Sequence, residues 1–243
     1  MKIVKMLFNA KNGLRLPFAH MEILQGVVYR MMSYDEELSA EIHDKRFENS
    51  KPFKFFCFSD IIGKYRIANK EVIYNGFFEW EIRCGDDRIA NAVFKYISNY
   101  HMIEINHQEC EILSAQICRK VFFKDEINIK MNTPVVIYHT DKTGFVSYEN
   151  PLKEEFYDGI IKNIRNKYEV FYGKKCEDNI VIKCRKLTEK DKCVTRYKGT
   201  LITCWYGEYN ITAPTELLKF IYHTGIGGKN SMGFGTFFEL NYC

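Results

Sequence analysis

Apolar and polar positions along this chain change period in a recurring order. Lys2 to Phe8 alternates at a period of two, as a half-buried strand does. Beyond Leu16-Pro17 the apolar positions Met21, Leu24, Val27, Val28 and Met31 recur at intervals of three and four, which predicts a helix. Ser33-Tyr34-Asp35-Glu36 has the spacing of a capping box, with Ser33 satisfying the Glu36 amide, and predicts the start of a second helix. Phe53 to Phe58 and Phe77 to Cys84 are aromatic-rich strand candidates. Gly85-Asp86 then opens a helix with Ile89, Val93, Tyr96, Ile97 and Tyr100 on one face, and strand character returns at Met102 to Ile105 and Glu111 to Cys118.

The second half repeats the series. Val135 to His139 is strand-like, and Asn150-Pro151 offers an N-cap followed by Pro at the first helical position. The helix it predicts carries Leu152, Phe156, Ile160, Ile164, Tyr168 and Phe171, and stops at Gly173. Ile180 to Leu187 and Cys193 to Ile211 follow as strands, joined by Thr188 to Asp191 as a hairpin turn. Thr212 starts a last helix through Leu217, Leu218 and Ile221, and Thr236 to Leu240 closes the chain as a strand. Twice over, the order is β-α-β-β-α-β, so the expected class is α+β with two tandem ferredoxin-like (RRM-like) domains. Their boundary is expected near Cys118 to Val121, giving domains 1–119 and 120–243, with no Pro- or Ser-rich linker between them.

Composition narrows the function classes. With 46% apolar and 15% aromatic residues the chain can bury a core, and no apolar run of 18 residues is present to span a bilayer. Met1 to Phe8 alternates charged and apolar residues, unlike the apolar stretch of a signal peptide, so no membrane or export role is expected. The nine cysteines are odd in number and form no Cys-x-x-Cys and no Cys/His pair at zinc spacing. They are expected to be reduced small hydrophobes in a cytoplasmic protein with no metal and no cofactor. The net charge of +4 is unevenly spread: Lys183 to Lys198 holds seven basic residues against two acidic ones, a local balance of +5, so the remainder sums to −1. Such a concentration selects for the phosphates of a polyanion. On paired strands Lys183 with Arg185, and Arg196 with Lys198, would line a phosphate track while Ile182 and Val194 face inward; a basic, solvated edge strand is the other reading.

The segment Gly225-Ile226-Gly227-Gly228-Lys229-Asn230-Ser231-Met232-Gly233-Phe234-Gly235 has five glycines in eleven residues. A Walker loop ending at Lys229 would need glycine at 223 and Ser or Thr at 230, where His223 and Asn230 stand. A dinucleotide fingerprint from Gly225 would need glycine at 230 as well, and both motifs follow a strand and open a helix, the reverse of the order here. What remains is Gly-apolar-Gly, five residues, Gly-apolar-Gly, near the C-terminus. That pattern resembles the signature of the CRISPR-associated repeat-processing endoribonucleases of the RAMP superfamily. Leu16-Pro17, Leu24-Gln25-Gly26-Val27-Val28-Tyr29, Ile42-His43-Asp44 with Phe47, and Phe53 to Phe58 with Ser59 follow the same family's N-terminal order, so the resemblance spans the chain.

The resemblance implies tandem ferredoxin-like domains and metal-free cleavage of CRISPR precursor RNA within its repeats. An RNA 2′-hydroxyl attacks the adjacent phosphate, and the enzyme moves protons and stabilises the added negative charge. It implies His43 as the catalytic histidine, Tyr29 as its partner, and a downstream lysine, Lys51 or Lys45, as the cation. It also implies that Gly225, Gly227, Gly233 and Gly235 let the backbone approach RNA, that Lys229 touches phosphate, and that a hairpin near Lys183 to Lys198 lies against the repeat. Taken alone, each residue keeps a plainer reading: His43 as a solvated helix-end histidine, Tyr29 as a core aromatic, Lys229 as a solvated loop lysine, and the glycines as a turn before an edge strand. One helix spanning 29 to 43 would hold its two ends about 21 Å apart. Convergence therefore requires the break offered at Ser33. The partners implied are repeat RNA and a CRISPR effector complex, in which relatives also serve as non-catalytic RNA-binding subunits; a homodimer stays open.

Overall fold

A computed structural model describes residues 1–35, 38, 53–122 and 124–240. Two compact units result, Met1–Arg119 together with Ser231–Gly233, and Lys120–Asn230 together with Phe234–Cys243. Both combine helices with antiparallel sheets, a mixed α+β architecture.

In the first unit the order is β1 (Lys2–Pro17), α1 (Met21–Met32), β2 (Phe56–Phe58), β3 (Ile62–Ala68), β4 (Glu71–Cys84), α2 (Asp87–Asn99), β5 (Met102–Ile105) and β6 (Gln108–Cys118). The sheet runs β2-β4-β1-β6-β5, with β3 paired to β4. Alternation along β1 turns Val4, Met6, Phe8 and Ala10 onto one face. There they share a core with Leu24, Val27, Val28 and Met31 of α1 and Ile89, Val93 and Ile97 of α2. α2 starts where the sequence suggests: the Asp86 carboxylate accepts from the Arg88 amide at 2.9 Å. Ser33 behaves differently from expectation. Its hydroxyl donates to Arg30 O at 2.8 Å and its amide to Tyr29 O at 2.9 Å, so it closes α1 instead of opening a second helix. Asp35 takes the capping part, accepting from the Leu38 amide at 3.0 Å. A second helix from Glu36 onward, and with it His43, Lys45 and Lys51, lies outside the described residues.

The second unit contains β7 (Glu126–Met131), β8 (Tyr138–Thr140), β9 (Val146–Tyr148), α3 (Glu154–Tyr172), β10 (Val181–Lys186), β11 (Lys192–Tyr197), β12 (Thr200–Trp205), β13 (Glu208–Thr212), α4 (Thr215–Thr224) and β14 (Phe237–Glu239). Its main sheet is β10-β13-β7-β14. Three expectations need correction. The first strand is β7, in which Ile127, Ile129 and Met131 alternate inward; of the expected Val135 to His139, Tyr138 and His139 fall in the short β8 and Val135 makes a bridge to Trp205. α3 begins at Glu154, because Asn150 spends its carboxamide on the Leu152 amide in a turn that leaves Leu152 80% exposed. Lastly, β10 and β11 are not one hairpin. β10 pairs with β13, and β11 pairs with β12 across Lys198-Gly199, where both residues have positive φ. Val194, expected to face inward, is 56% exposed.

Candidate functional site

The glycine-rich segment connects α4 to β14, and its backbone is committed internally. Ile226 N donates to Gly235 O at 2.9 Å, Gly235 N to Pro134 O at 3.0 Å, and Gly228 N to Val136 O at 2.8 Å. Glycine is demanded by packing at two of these points. At Gly235 (φ +80°) a Cβ would overlap the Ile226 carbonyl oxygen, and at Gly227 (φ +69°) it would lie 2.7 Å from Val135 Cγ2 and 2.8 Å from Val136 O. Gly225, Gly227, Gly233 and Gly235 are all buried, whereas Gly228 to Met232 are half-buried. Gly233 belongs to the first unit, where a Cβ would meet Phe58 and Met21. Gln25 of α1 donates to Ser231 O at 2.7 Å in the same unit.

Two side chains knit this loop from within. Asn230 Nδ2 donates to both Ile226 O and Phe234 O at 3.0 Å, tying the two Gly-apolar-Gly arms together. Lys167 of α3, 2% exposed, donates its ammonium to Asn230 Oδ1 at 3.0 Å, to Thr224 O at 3.4 Å and to Gly225 O. A buried cation at the carbonyl end of α4 opposes the helix dipole and satisfies carbonyls that would otherwise be orphaned. The helical period already held the signal, since Lys167 continues the stripe of Phe156, Ile160 and Ile164. Lys229 has φ +60° and lays its ammonium 4.6 Å from the centre of the Tyr138 ring.

At the other end of the chain, the amphipathic period of α1 leaves Tyr29 half-buried near its last turn, where its ring meets Phe56 edge-on at 6.0 Å. Lys54, just ahead of β2, donates to the Tyr29 hydroxyl at 2.7 Å. Burial pushes the Tyr29 phenol up to about 12 and lowers the Lys54 ammonium. Phe55, between Lys54 and β2, sits at φ +48°, a left-handed conformation that is costly for a bulky residue, and its carbonyl accepts from Gly85 N at 2.7 Å. Sequence reasoning offered Lys45 and Lys51 and overlooked Lys54; the clue was a lone cation inside the aromatic run Phe53 to Phe58.

The basic residues divide between two elements. Lys183 and Arg185 are exposed on β10, while Arg196 and Lys198 are exposed on the β11–β12 hairpin, where Arg196 also donates to Gly199 O at 3.0 Å. Of the remaining histidines, His20 is buried, with Nδ1 2.9 Å from Pro17 O and Nε2 2.7 Å from Asp60 Oδ1, and His223 bonds Lys219 O within α4. Among the described residues no His/Cys/Asp/Glu cluster could hold a metal ion, and no helix is long and apolar enough to cross a membrane.

Residues 117–238, half of the chain, match the family model for CRISPR associated protein Cas6, C-terminal. The chain is similar to CRISPR-associated endoribonuclease Cas6 1 of Methanocaldococcus jannaschii, with 28% identity over 90% of this chain and 85% of that protein. It is also similar to CRISPR-associated endoribonuclease Cas6 of Pyrococcus furiosus, at 25% identity over 91% of this chain and 82% of the other. A solved structure described as CRISPR associated protein Cas6 shares the fold with a TM-score of 0.81, 21% identity and 99% coverage of both chains.

Proposed function

This chain belongs to the Cas6 family of CRISPR-associated proteins, and from that premise we propose that it is an endoribonuclease that cuts CRISPR precursor RNA within its repeats. In this reading the RNA 2′-hydroxyl attacks the adjacent phosphate without a metal and leaves a 2′,3′-cyclic phosphate and a 5′-hydroxyl. The hydrogen bond from Lys54 to Tyr29 is the observation that carries the reading onto this chain's own residues. With its phenol pushed up to about 12, Tyr29 is protonated at neutral pH and acts as a donor to phosphate oxygen rather than as a base. Lys54 supplies positive charge for the phosphorane. His43 moves the proton. Lys51 and Lys45 compete with Lys54 for the cationic role, and the contact with Tyr29 favours Lys54.

Each unit is read as a ferredoxin-like domain. The orders β6-β1-β4-β2 and β14-β7-β13-β10 are both the fourth-first-third-second arrangement of a βαββαβ unit, which supports domains 1–119 and 120–243 in tandem. The glycine loop with Lys229, together with Lys183, Arg185, Arg196 and Lys198, is assigned to phosphate contacts along the repeat. A CRISPR effector complex would take the product, in the cytoplasm.

Incubating the protein with repeat RNA in EDTA, beside His43→Ala, tests this. Cleavage with cyclic-phosphate ends by the wild type, and bound but intact RNA with the variant, are the expected results. Loss of wild-type cutting in EDTA overturns the metal-free reaction, and undiminished cleavage by the variant overturns the role of His43. RNA bound but never cut by the wild type would mark a non-catalytic RNA-binding subunit.

A further inference from the structure

The β11–β12 hairpin stands apart from the four-stranded sheet, and a two-stranded ribbon is marginally stable by itself. Its turn at Lys198-Gly199 fixes the register, which runs from Tyr197↔Thr200 back to Cys193↔Cys204. Directly opposed residues in an antiparallel pair have Cα atoms about 4.5 to 5.5 Å apart, inside the window a disulfide requires. Cys193 and Cys204 share the inward face with Thr195, Tyr197 and Ile202, and the Cys204 thiol lies 3.4 Å from Cys193 O. Cys204 is fully buried and Cys193 only partly, so Cys193 is the more accessible residue of the pair.

We propose that Cys193 and Cys204 form a thiol–disulfide modification site, in which Cys193 attacks a small-molecule disulfide and Cys204 resolves the adduct into a covalent staple across the hairpin. In the first step the Cys193 thiolate forms a bond to one sulfur of the reagent, whose S–S bond breaks and releases one thiolate. In the second, Cys204 gives up its proton and attacks the Cys193 sulfur, releasing the other reagent thiolate. Two protein thiols are oxidised, one reagent disulfide is reduced to two thiols, and the protein loses two hydrogen atoms. Reactivity follows the same division. A hydrogen bond with the Cys204 thiol outweighs burial and lowers Cys193, whereas that contact and burial push Cys204 far up. Burial raises the thiols of Cys84, Cys110, Cys118, Cys176 and Cys184. A bridge across closely opposed strands is strained and exchangeable, suited to reversible use. It lies on the face opposite Arg196, so the staple orders the ribbon without covering its cations.

The full-length protein is incubated with oxidised glutathione at pH 7, quenched with alkylating agent and mapped by peptide mass. Loss of two hydrogens with Cys193 linked to Cys204 is expected. Cys204→Ser, and Cys204→Ala as a second replacement, should stop at a glutathione adduct on Cys193, formed roughly tenfold faster than on any other described cysteine. A link between other cysteines, a wild-type adduct that persists without resolving, or failure of both Cys204 variants to accumulate the Cys193 adduct while folded by circular dichroism would overturn the proposal. None of these outcomes depends on whether the protein cuts RNA.

Discussion

The glycine-rich loop and the Tyr29–Lys54 corner stand at opposite ends of the chain and are built on opposite principles. In the loop, backbone and side chains satisfy one another: Asn230 joins its arms, Lys167 closes the end of α4 behind it, and a Cβ at Gly235 has nowhere to go. In the corner, a cation and a phenol are held half-buried against each other beside Phe55 at positive φ, the arrangement to which the proposed chemistry is assigned. A motif rich in glycine thus records geometry, while the chemistry proposed for this chain is assigned to residue types that are less conspicuous. Damage to the loop should show mainly in folding, and damage to the corner mainly in rate.

Gly235→Ala should be the harshest substitution. Positive φ and overlap with Ile226 O together should cost about 4 kcal/mol or prevent folding of the second unit, measured by denaturant unfolding. A loss under about 1 kcal/mol would show that the loop is not packed as described. Lys167→Met should destabilise by about 2 to 3 kcal/mol, because Thr224 O, Gly225 O and Asn230 Oδ1 lose a buried donor. Near-wild-type stability there would make the brace dispensable. Tyr29→Phe inverts the pattern: stability should hold within about 1 kcal/mol while single-turnover cleavage slows at least about tenfold. The smallest effect concerns His20, a buried histidine paired with Asp60. Burial pulls its pKa down, but the hydrogen bond and charge of Asp60, with Pro17 O, outweigh this and leave it raised above 6.5. The His20–Asp60 contribution to stability is therefore complete below the unfolded pKa and lost as pH rises through the folded one. Asp60→Asn should flatten that dependence in unfolding experiments, and an unchanged pH profile would contradict the pairing.

Local signals in the sequence reported local structure well. Asp86 caps α2 and Gly173, at φ +68°, ends α3, because each acts within one turn. Pairing across distance was less visible. The alternation of Ile127, Ile129 and Met131 covers only six residues, too short a run to mark β7 by itself. Lys198-Gly199 is a weaker hairpin signal than Asn-Gly, so one long strand was read where β11, β12 and β13 occur. The site divides in the same way. The glycine spacing and Tyr29 stand out in the sequence as candidates, whereas the contacts of Lys54 and Lys167 required the fold, since a lysine is ordinarily taken as solvated until a partner is found for it.

Single-turnover cleavage of repeat RNA in EDTA by Lys54→Met, compared with wild type and Lys51→Met, bears most directly on the chemistry proposed for the Tyr29–Lys54 pair. The Lys54 variant should be about 10²- to 10³-fold slower with unchanged RNA affinity, and the Lys51 variant close to wild type. A Lys54 variant that cuts at the full rate, or whose defect is entirely one of RNA affinity, would contradict the assignment of the Tyr29–Lys54 pair to the chemistry.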